Sequence, residues 1–592
     1  MTPATTARRA TESRGRTKVR LTVQWGLLLA LSAGCNRQPA TSATGSLVDS
    51  AWFENWTESS GVRFVHDATV SGQYLISEQM ASGAAVLDYD NDGRLDLYFI
   101  HNVAPTSRST NSLWHQEPDG RFGDVSIGSG LDVTGFGNGL AVGDVNNDGW
   151  PDVLITEYDR LRLFVNRQGS GRFVDVTSAA GVTNSNWAVP AAFLDFDRDG
   201  WLDLVVGNYL DYDPSQRCPD PRGQLDFCGP FGFRTTPTRL FRNVSGPVGA
   251  PAPMPRFEDV TLASGLARWP GKAMGLLCAD FTGDHWPDIF VTDDGLPNRL
   301  LVNQQNGTFV EQAVERGLAY TGMGATASNM GTAWGDVNGD GLFDLFVPHL
   351  MEESHTFWRQ GPVGLFQDQS AAAGLIGLAW HGTGFAPVFA DFDCDGVLDL
   401  AIANGLVQRR SSARLVPPAA GVAPFWAPYA QPNQLLRGDG DGRFRDISNA
   451  NTAFCGEALV GRGLVCGDLD NDGALDLVLS NTGGPARVYR NLAASHGHWL
   501  GIRAVDPALG ERDAYGGEVV VQAGSRRWSR LVQPGYSYCS SNDPRVHFGL
   551  GAVASVDSIQ VLWPDGVEER FPGGPADRYL VLRKRAGQVG QL

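Results

Sequence analysis

Asp88-Tyr89-Asp90-Asn91-Asp92-Gly93-Arg94-Leu95-Asp96 decides the fold, because the same nine-residue pattern recurs six more times along the chain. Complete copies are Asp195-Phe196-Asp197-Arg198-Asp199-Gly200-Trp201-Leu202-Asp203, Asp391-Phe392-Asp393-Cys394-Asp395-Gly396-Val397-Leu398-Asp399 and Asp468-Leu469-Asp470-Asn471-Asp472-Gly473-Ala474-Leu475-Asp476. Two copies carry Asn third: Asp144-Val145-Asn146-Asn147-Asp148-Gly149-Trp150-Pro151-Asp152 and Asp336-Val337-Asn338-Gly339-Asp340-Gly341-Leu342-Phe343-Asp344. The remaining copy, Asp280-Phe281-Thr282-Gly283-Asp284-His285-Trp286-Pro287-Asp288, has Thr third and His where the others have Gly. Numbered in chain order, these are loops 1 to 7, and the copy with Thr282 is loop 4.

Oxygen donors at positions 1, 3, 5 and 9, with a turn-permitting Gly at position 6, match the demand of a hard divalent cation for six to eight oxygens, and Ca²⁺ is the expected ion. Carboxylates at about 4 Å repel by about 4 kcal/mol at an effective dielectric near 20, so seven such loops are poor structure without a counter-charge. An EF-hand begins with the same spacing but needs Glu at position 12; here that position is Phe99, Ile155, Val206, Val291, Val347, Ile402 or Leu479. Each loop instead runs into a short apolar β-type segment, such as Leu97-Tyr98-Phe99-Ile100.

The units around the loops repeat as well. Segments opening at Phe53, Phe122, Phe173, Phe257, Phe309, Phe366 and Phe444 precede or follow a loop at similar distances, and turn pairs such as Asp119-Gly120 and Asp441-Gly442 mark hairpins. Four short strands per unit, seven times over, predict an all-β fold: a seven-bladed β-propeller over residues 51–495 with a small C-terminal β module. Arg487-Val488-Tyr489-Arg490-Asn491 is left without a unit at one end, and Phe53 lacks a preceding strand at the other, so those two ends are expected to complete one blade.

The units resemble the FG-GAP or VCBS repeats of integrin α-chain propellers. In that family positions 1, 3, 5 and 9 bind calcium through side chains and position 7 through its carbonyl. The resemblance therefore implies, besides the Asp, Asn and Thr residues above, carbonyl ligands from Arg94, Trp150, Trp201, Trp286, Leu342, Val397 and Ala474, for up to seven Ca²⁺. Thr282 and His285 make loop 4 the site expected to be weakest. Beyond the repeats, Gly535-Tyr536-Ser537-Tyr538, His547-Phe548-Gly549-Leu550-Gly551 and Trp563-Pro564-Asp565-Gly566 resemble the ASPIC/UnbV domain, which follows calcium-binding repeats in the cartilage acidic protein family; it is expected over residues 497–575, with 576–592 a tail.

The N-terminus addresses the chain. Six basic residues within the first 20 precede an apolar run from Leu21 to Ala33 and then Leu31-Ser32-Ala33-Gly34-Cys35, a signal peptide over 1–34 with a lipobox-like end that makes Cys35 the expected lipidation site; an ordinary secretory signal is the alternative. Residues 35–50 have the composition of a flexible tether. Removing 1–34 changes the charge from −18 to −23, and the loops hold 25 of the 64 acidic residues that remain. That acidity excludes general phosphate-backbone binding, and outside the N-terminus no apolar stretch is long enough to span a membrane.

In an exported protein Cys218 with Cys228, and Cys455 with Cys466, are expected local disulfides, leaving Cys278, Cys394 and Cys539 as buried thiols. Insertions near 209–238 and 408–432 are candidate partner-facing surfaces. His66, Tyr74 and Glu78 are candidates to line the propeller axis, and His349, His355 and His381 fall in no catalytic motif. The sequence reads as a calcium-binding scaffold for a protein or glycan at the cell envelope, attached only through a lipid. The competing expectations are a polysaccharide-acting enzyme on the same propeller and a purely structural surface protein.

Overall fold

A computed structural model describes residues 50–80, 82–104, 107–220, 222–247, 254–409, 416–493 and 497–589. The signal segment and Cys35 lie outside them. The chain is almost entirely β. Seven four-stranded antiparallel sheets form the blades, and blade 2 is representative: Gly137–Gly143, Asp152–Glu157, Arg160–Asn166 and Phe173–Asp175 pair in chain order. Each nine-residue loop joins the inner strand of a blade to its second strand. All seven Phe positions singled out above open the outermost strand of a blade.

The ring closes as the leftover ends require. Phe53–Asn55 pairs with Arg487–Asn491, with Phe53 opposite Asn491, so the first strand of the chain completes the last blade. Apolar side chains of adjacent blades interdigitate, as where Val86, Leu97 and Phe99 of blade 1 meet Val465, Val478 and Val488 of blade 7. This arrangement leaves no central sheet edge exposed to pairing.

The C-terminal module is a two-sheet sandwich. His498–Asp506 pairs with Val546–Gly551 and, in parallel, with Arg578–Arg583. The second sheet holds Arg526–Leu531, Glu518–Ala523, Ser555–Leu562, Glu568–Pro575 and Gln588–Val589. The segment after Pro575, expected to be a tail, is thus built into both sheets. Its Tyr579-Leu580-Val581-Leu582 run supplies strand-forming residues that the other strands can pair.

One segment of this module, Gln533 to Asn542, enters the propeller and touches the inner strands of all seven blades. Ser541 exchanges backbone hydrogen bonds with Ala84 and Val86 of blade 1. Cys539 packs on Gly139 of blade 2 and lies 3.8 Å from the Val189 carbonyl of blade 3. Gln533 donates to the Cys278 carbonyl of blade 4, and Ser537 pairs with Thr332 of blade 5. The Tyr538 ring lies edge-on to Phe385 of blade 6, 5.0 Å away, and the Asn542 side chain accepts the Cys466 N–H of blade 7. The channel is plugged by the protein's own backbone. Gly83 and Gly331 are glycines for this reason: a Cβ would sit 2.4 Å from the Cys539 carbonyl oxygen and 2.5 Å from that of Ser537.

The cysteines correct one expectation. Cys218 and Cys228 form a disulfide, with Cα atoms 5.1 Å apart. Cys455 and Cys466 do not; both are buried free thiols. Cys455 lies on the helix Thr452–Cys455, which packs on the outermost strand of blade 7, whereas Cys466 is on that blade's innermost strand. Two to three strand spacings of about 4.8 Å intervene, beyond the reach of a disulfide. Thiol titration should therefore find Cys278, Cys394, Cys455, Cys466 and Cys539 unreactive in the native protein and reactive in denaturant.

The structure also separates the proposed axial residues. His66 packs beside Phe64 and His101, Tyr74 against Phe227 and Phe425, and Glu78 lies buried on the short helix Ile76–Gln79. Burial favours the neutral form of His66, His101, His349 and His355. Nδ1 of His101 accepts the Asp67 N–H at 2.9 Å, and Nδ1 of His355 accepts the His349 N–H at 3.0 Å, while burial lowers His101 and His349 to about 4. Because these pKa values fall below the unfolded value near 6.5, their stabilisation is complete above that pH and is lost as pH drops toward 4. In denaturation series at pH 7.5 and 4.5, the loss of stability between the two pH values should be about 2–3 kcal/mol smaller in His101→Asn, which keeps an acceptor, than in the unsubstituted chain.

Candidate metal centre

The seven loops share one hydrogen-bond scheme, and it follows from the sequence pattern. The N–H of position 6 donates to the position-1 carboxylate in every loop, at 2.7–3.0 Å. The N–H of position 7 donates to the position-5 carboxylate, at 2.9–3.1 Å. The position-9 carboxylate is buried and accepts two amides: that of position 2, and that of the third-strand residue Gln116, Asn166, Asn243, Asn303, Gln360, Gly438 or Asn491. Position 9 therefore anchors the loop to the sheet, while positions 1, 3 and 5 face one another above it.

Two positions in each loop adopt left-handed backbone. Position 6 does so at φ 67–93°, which explains the glycine, and His285 bears that conformation in loop 4. Position 4 does so as well, at φ 54–78°, which sequence reasoning missed; Asn91, Asn147 and Asn471 were its visible signal, since Asn tolerates this region better than most residues. The position-4 side chain then reaches the position-6 carbonyl of the next loop: Asn91 to Gly149, Asn147 to Gly200, Arg198 to His285 and Asn471 to Gly93. The loops form a linked rim, interrupted where Gly283 and Gly339 have no side chain to offer.

The acidic groups converge as predicted in loops 1, 3, 6 and 7. Carboxylate oxygens of Asp88, Asp90 and Asp96, of Asp195, Asp197 and Asp199, of Asp391, Asp393 and Asp399, and of Asp468, Asp470 and Asp476 lie within 4.8 Å of one another, close enough for each group to hold a metal ion. In loops 2 and 5 the third-position amides of Asn146 and Asn338 donate to Asp148 and Asp340. Loop 4 differs: Asp280 Oδ1 accepts the N–H groups of Thr282, Gly283 and Asp284 and the Thr282 hydroxyl, so this carboxylate is turned into its own loop.

Burial raises the position-9 carboxylates and those of Asp88, Asp144, Asp195, Asp336, Asp391 and Asp468. Asp88 rises to about 6, Asp195, Asp344 and Asp468 to about 7, and Asp96 and Asp391 to about 8. The residues fit a cation. The donor set is all oxygen, and Asp195 Oδ1, on a residue 8% exposed, has no hydrogen-bond partner, as is also true of Asp90 Oδ1.

The C-terminal module rests on this rim. Arg512 donates to Asn147 Oδ1 and the Gly200 carbonyl, and Trp528 to the Gly396 carbonyl. His547 Nε2 lies 2.9 Å from the Gly473 carbonyl, Arg545 donates to Asn471 and the Asp468 carbonyl, and the Tyr579 hydroxyl donates to Asp468 at 2.7 Å. A cavity of about 360 Å³ remains between the module and loops 1 and 2, lined by Asp88, Asp144, Arg503, Arg545, Tyr515 and Tyr579.

Comparison with known proteins agrees with this architecture. The FG-GAP-like repeat model matches residues 88–155, 144–206 and 280–347, and the ASPIC and UnbV model matches 508–589. The chain carries FG-GAP-like repeats and an ASPIC and UnbV domain. It is similar to cartilage acidic protein 1 of Mus musculus, 25% identical over 513 residues that make up 82% of this chain and 71% of the relative, and to that of Homo sapiens, 24% identical over 515 residues. A 92-residue stretch is 31% identical to human integrin alpha-7, covering 14% of this chain and 8% of that one. Among solved structures, an Agrocybe aegerita lectin that recognises non-reducing terminal N-acetylglucosamine matches at 13% identity and a TM-score of 0.36, over 69% of this chain and 93% of its own.

The long insertions meet each other. Asp226 accepts the Arg409 N–H and the Tyr429 hydroxyl, and Phe227 stacks on Trp426 at 5.7 Å. Phe227, Trp426 and Tyr429 are buried, so this pair of insertions makes a small core of its own.

Proposed function

We propose that the protein is an exported, calcium-stabilised propeller scaffold that binds a protein or glycan at the cell envelope. The observation that carries this reading is the sevenfold repetition of one all-oxygen loop on a single rim. Calcium is the ion whose ligand number and tolerance of irregular geometry suit Asp, Asn and carbonyl donors. In loop 1 it would be held by Asp88, Asp90, Asp92, the Arg94 carbonyl and Asp96, and correspondingly in the others; when bound it would neutralise the converging carboxylates and lock each loop. Loop 4 is the weakest site on this reading, because Asp280 is already committed to its own backbone.

Export and lipid attachment at Cys35 rest on the N-terminal sequence. No helix among the described residues is long and apolar enough to cross a membrane. The similarity to cartilage acidic protein 1 and integrin alpha-7 supports an extracellular binding role. An enzyme working at the propeller axis would need space that Tyr538 and Cys539 occupy. The deciding experiment is a pull-down from native envelope in calcium and in EDTA. Calcium-dependent capture of one defined component supports the scaffold, whereas turnover on a panel of polysaccharides overturns it.

A further inference from the structure

The third strand of each blade ends in the residue that binds the position-9 carboxylate, and the residue just before it faces the loop. That residue is His115, Arg242, Arg437 or Arg490 in blades 1, 3, 6 and 7, Arg359 in blade 5, and Val165 or Val302 in blades 2 and 4. Arg242 lies 2.6 Å from Asp197 and 3.1 Å from Asp199; Arg437 lies 2.7 Å from Asp393 and 2.9 Å from Asp395; Arg490 lies 2.6 Å from Asp470 and 3.7 Å from Asp472. His115 Nδ1 is 3.8 Å from Asp90. The four loops with Asp at position 3 are therefore the four in which that Asp has a basic neighbour on its own third strand. Where position 3 is Asn146 or Thr282 the neighbour is Val, and where it is Asn338 the arginine reaches position 5 alone, with Arg359 3.3 Å from Asp340.

We propose that these third-strand arginines are built-in counter-charges that divide the loops into two classes of cation site. In loops 3, 6 and 7 the guanidinium holds the oxygens of positions 3 and 5, so a cation must displace it to bind there. Loop 2 binds without breaking an ion pair. The inference rests on reading the loops as cation sites. It assigns the arginines a second task, holding four converging carboxylates together when the ion is absent. A unit positive charge about 6 Å from a divalent ion, at the dielectric of water, weakens binding roughly tenfold.

The position-7 tryptophans provide reporters. Trp150 sits in loop 2 and Trp201 in loop 3, while Trp528 lies against loop 6 and Trp499 against loop 7, so the terbium luminescence lost on Trp150→Phe reports loop 2 and that lost on Trp201→Phe reports loop 3. Each loop's midpoint is read by titrating Tb³⁺ against Ca²⁺ by sensitised luminescence. Arg242→Gln should lower the loop 3 midpoint about tenfold, and Val165→Arg should raise the loop 2 midpoint about tenfold. Unmoved midpoints in both variants, with binding intact, overturn the two-class assignment alone. Absence of any ion binding at either loop overturns both this assignment and the cation reading beneath it.

Discussion

A chain ending at residue 493 should fail to form a stable propeller, even though it retains all seven blades. Loss of the Gln533 to Asn542 segment removes contacts to every inner strand, and loss of the module strips Tyr515 from the core it shares with blades 2 and 3. Burial of Tyr515, Tyr538 and Cys539 alone is worth roughly 5–8 kcal/mol, which is comparable with the roughly 5–15 kcal/mol of net stability typical of a folded protein. Circular dichroism and limited proteolysis of the truncated chain, beside the full one, measure this. A point variant tests the same contact without deletion. Gly331→Val would place a Cβ 2.5 Å from the Ser537 oxygen and 2.7 Å from that of Phe385, both backbone atoms that cannot give way, and should cost about 3 kcal/mol. Gly123→Ala, whose new methyl would meet only the end of the Glu117 side chain at 3.4 Å, should stay within about 0.5 kcal/mol. A truncated chain that melts like the full protein would show that the plug is ornamental.

Chelation is the second large effect. Each ion bound at a hundredfold excess over its Kd stabilises by about 2.7 kcal/mol, so three occupied loops contribute about 8 kcal/mol. For a chain of this size, whose unfolding entropy is correspondingly large, that lowers the melting temperature by about 7 °C when the ions are withdrawn. Differential scanning calorimetry with calcium and with excess EDTA reads the change directly. An unshifted transition, together with no calcium by elemental analysis, would falsify the assignment of the loops. The third-strand arginines set the floor of this effect, since Arg242, Arg437 and Arg490 keep part of the acidic charge paired after the ions leave.

Periodicity made most of the fold legible. Seven frames with Asp at positions 1, 5 and 9, seven Phe positions and the unmatched Asn491 strand made the blade number and the ring closure readable, because each copy reinforced the others. The carboxylates of positions 1 and 9 were legible for the same reason. The plug was not, since Gln533 to Asn542 belongs to no repeat and its partners, mostly backbone groups, are scattered from Ala84 to Cys466. Cys455 and Cys466 misled because eleven residues of separation in a meander can span the width of a blade. The pairing of each position-3 Asp with a basic residue was present in the sequence, but only the register of the third strand shows that the two face each other.

The plug also sets the order of events in folding. Phe53–Asn55 must find a strand more than 430 residues away, and the segment that fills the channel follows that strand by another 40. Blades can form one by one as the chain emerges, but the ring has no way to lock until residues near 540 arrive, and separations of this length make the last step slow. A chain whose residues 533–542 have not yet docked therefore lacks the one segment that ties all seven inner strands together.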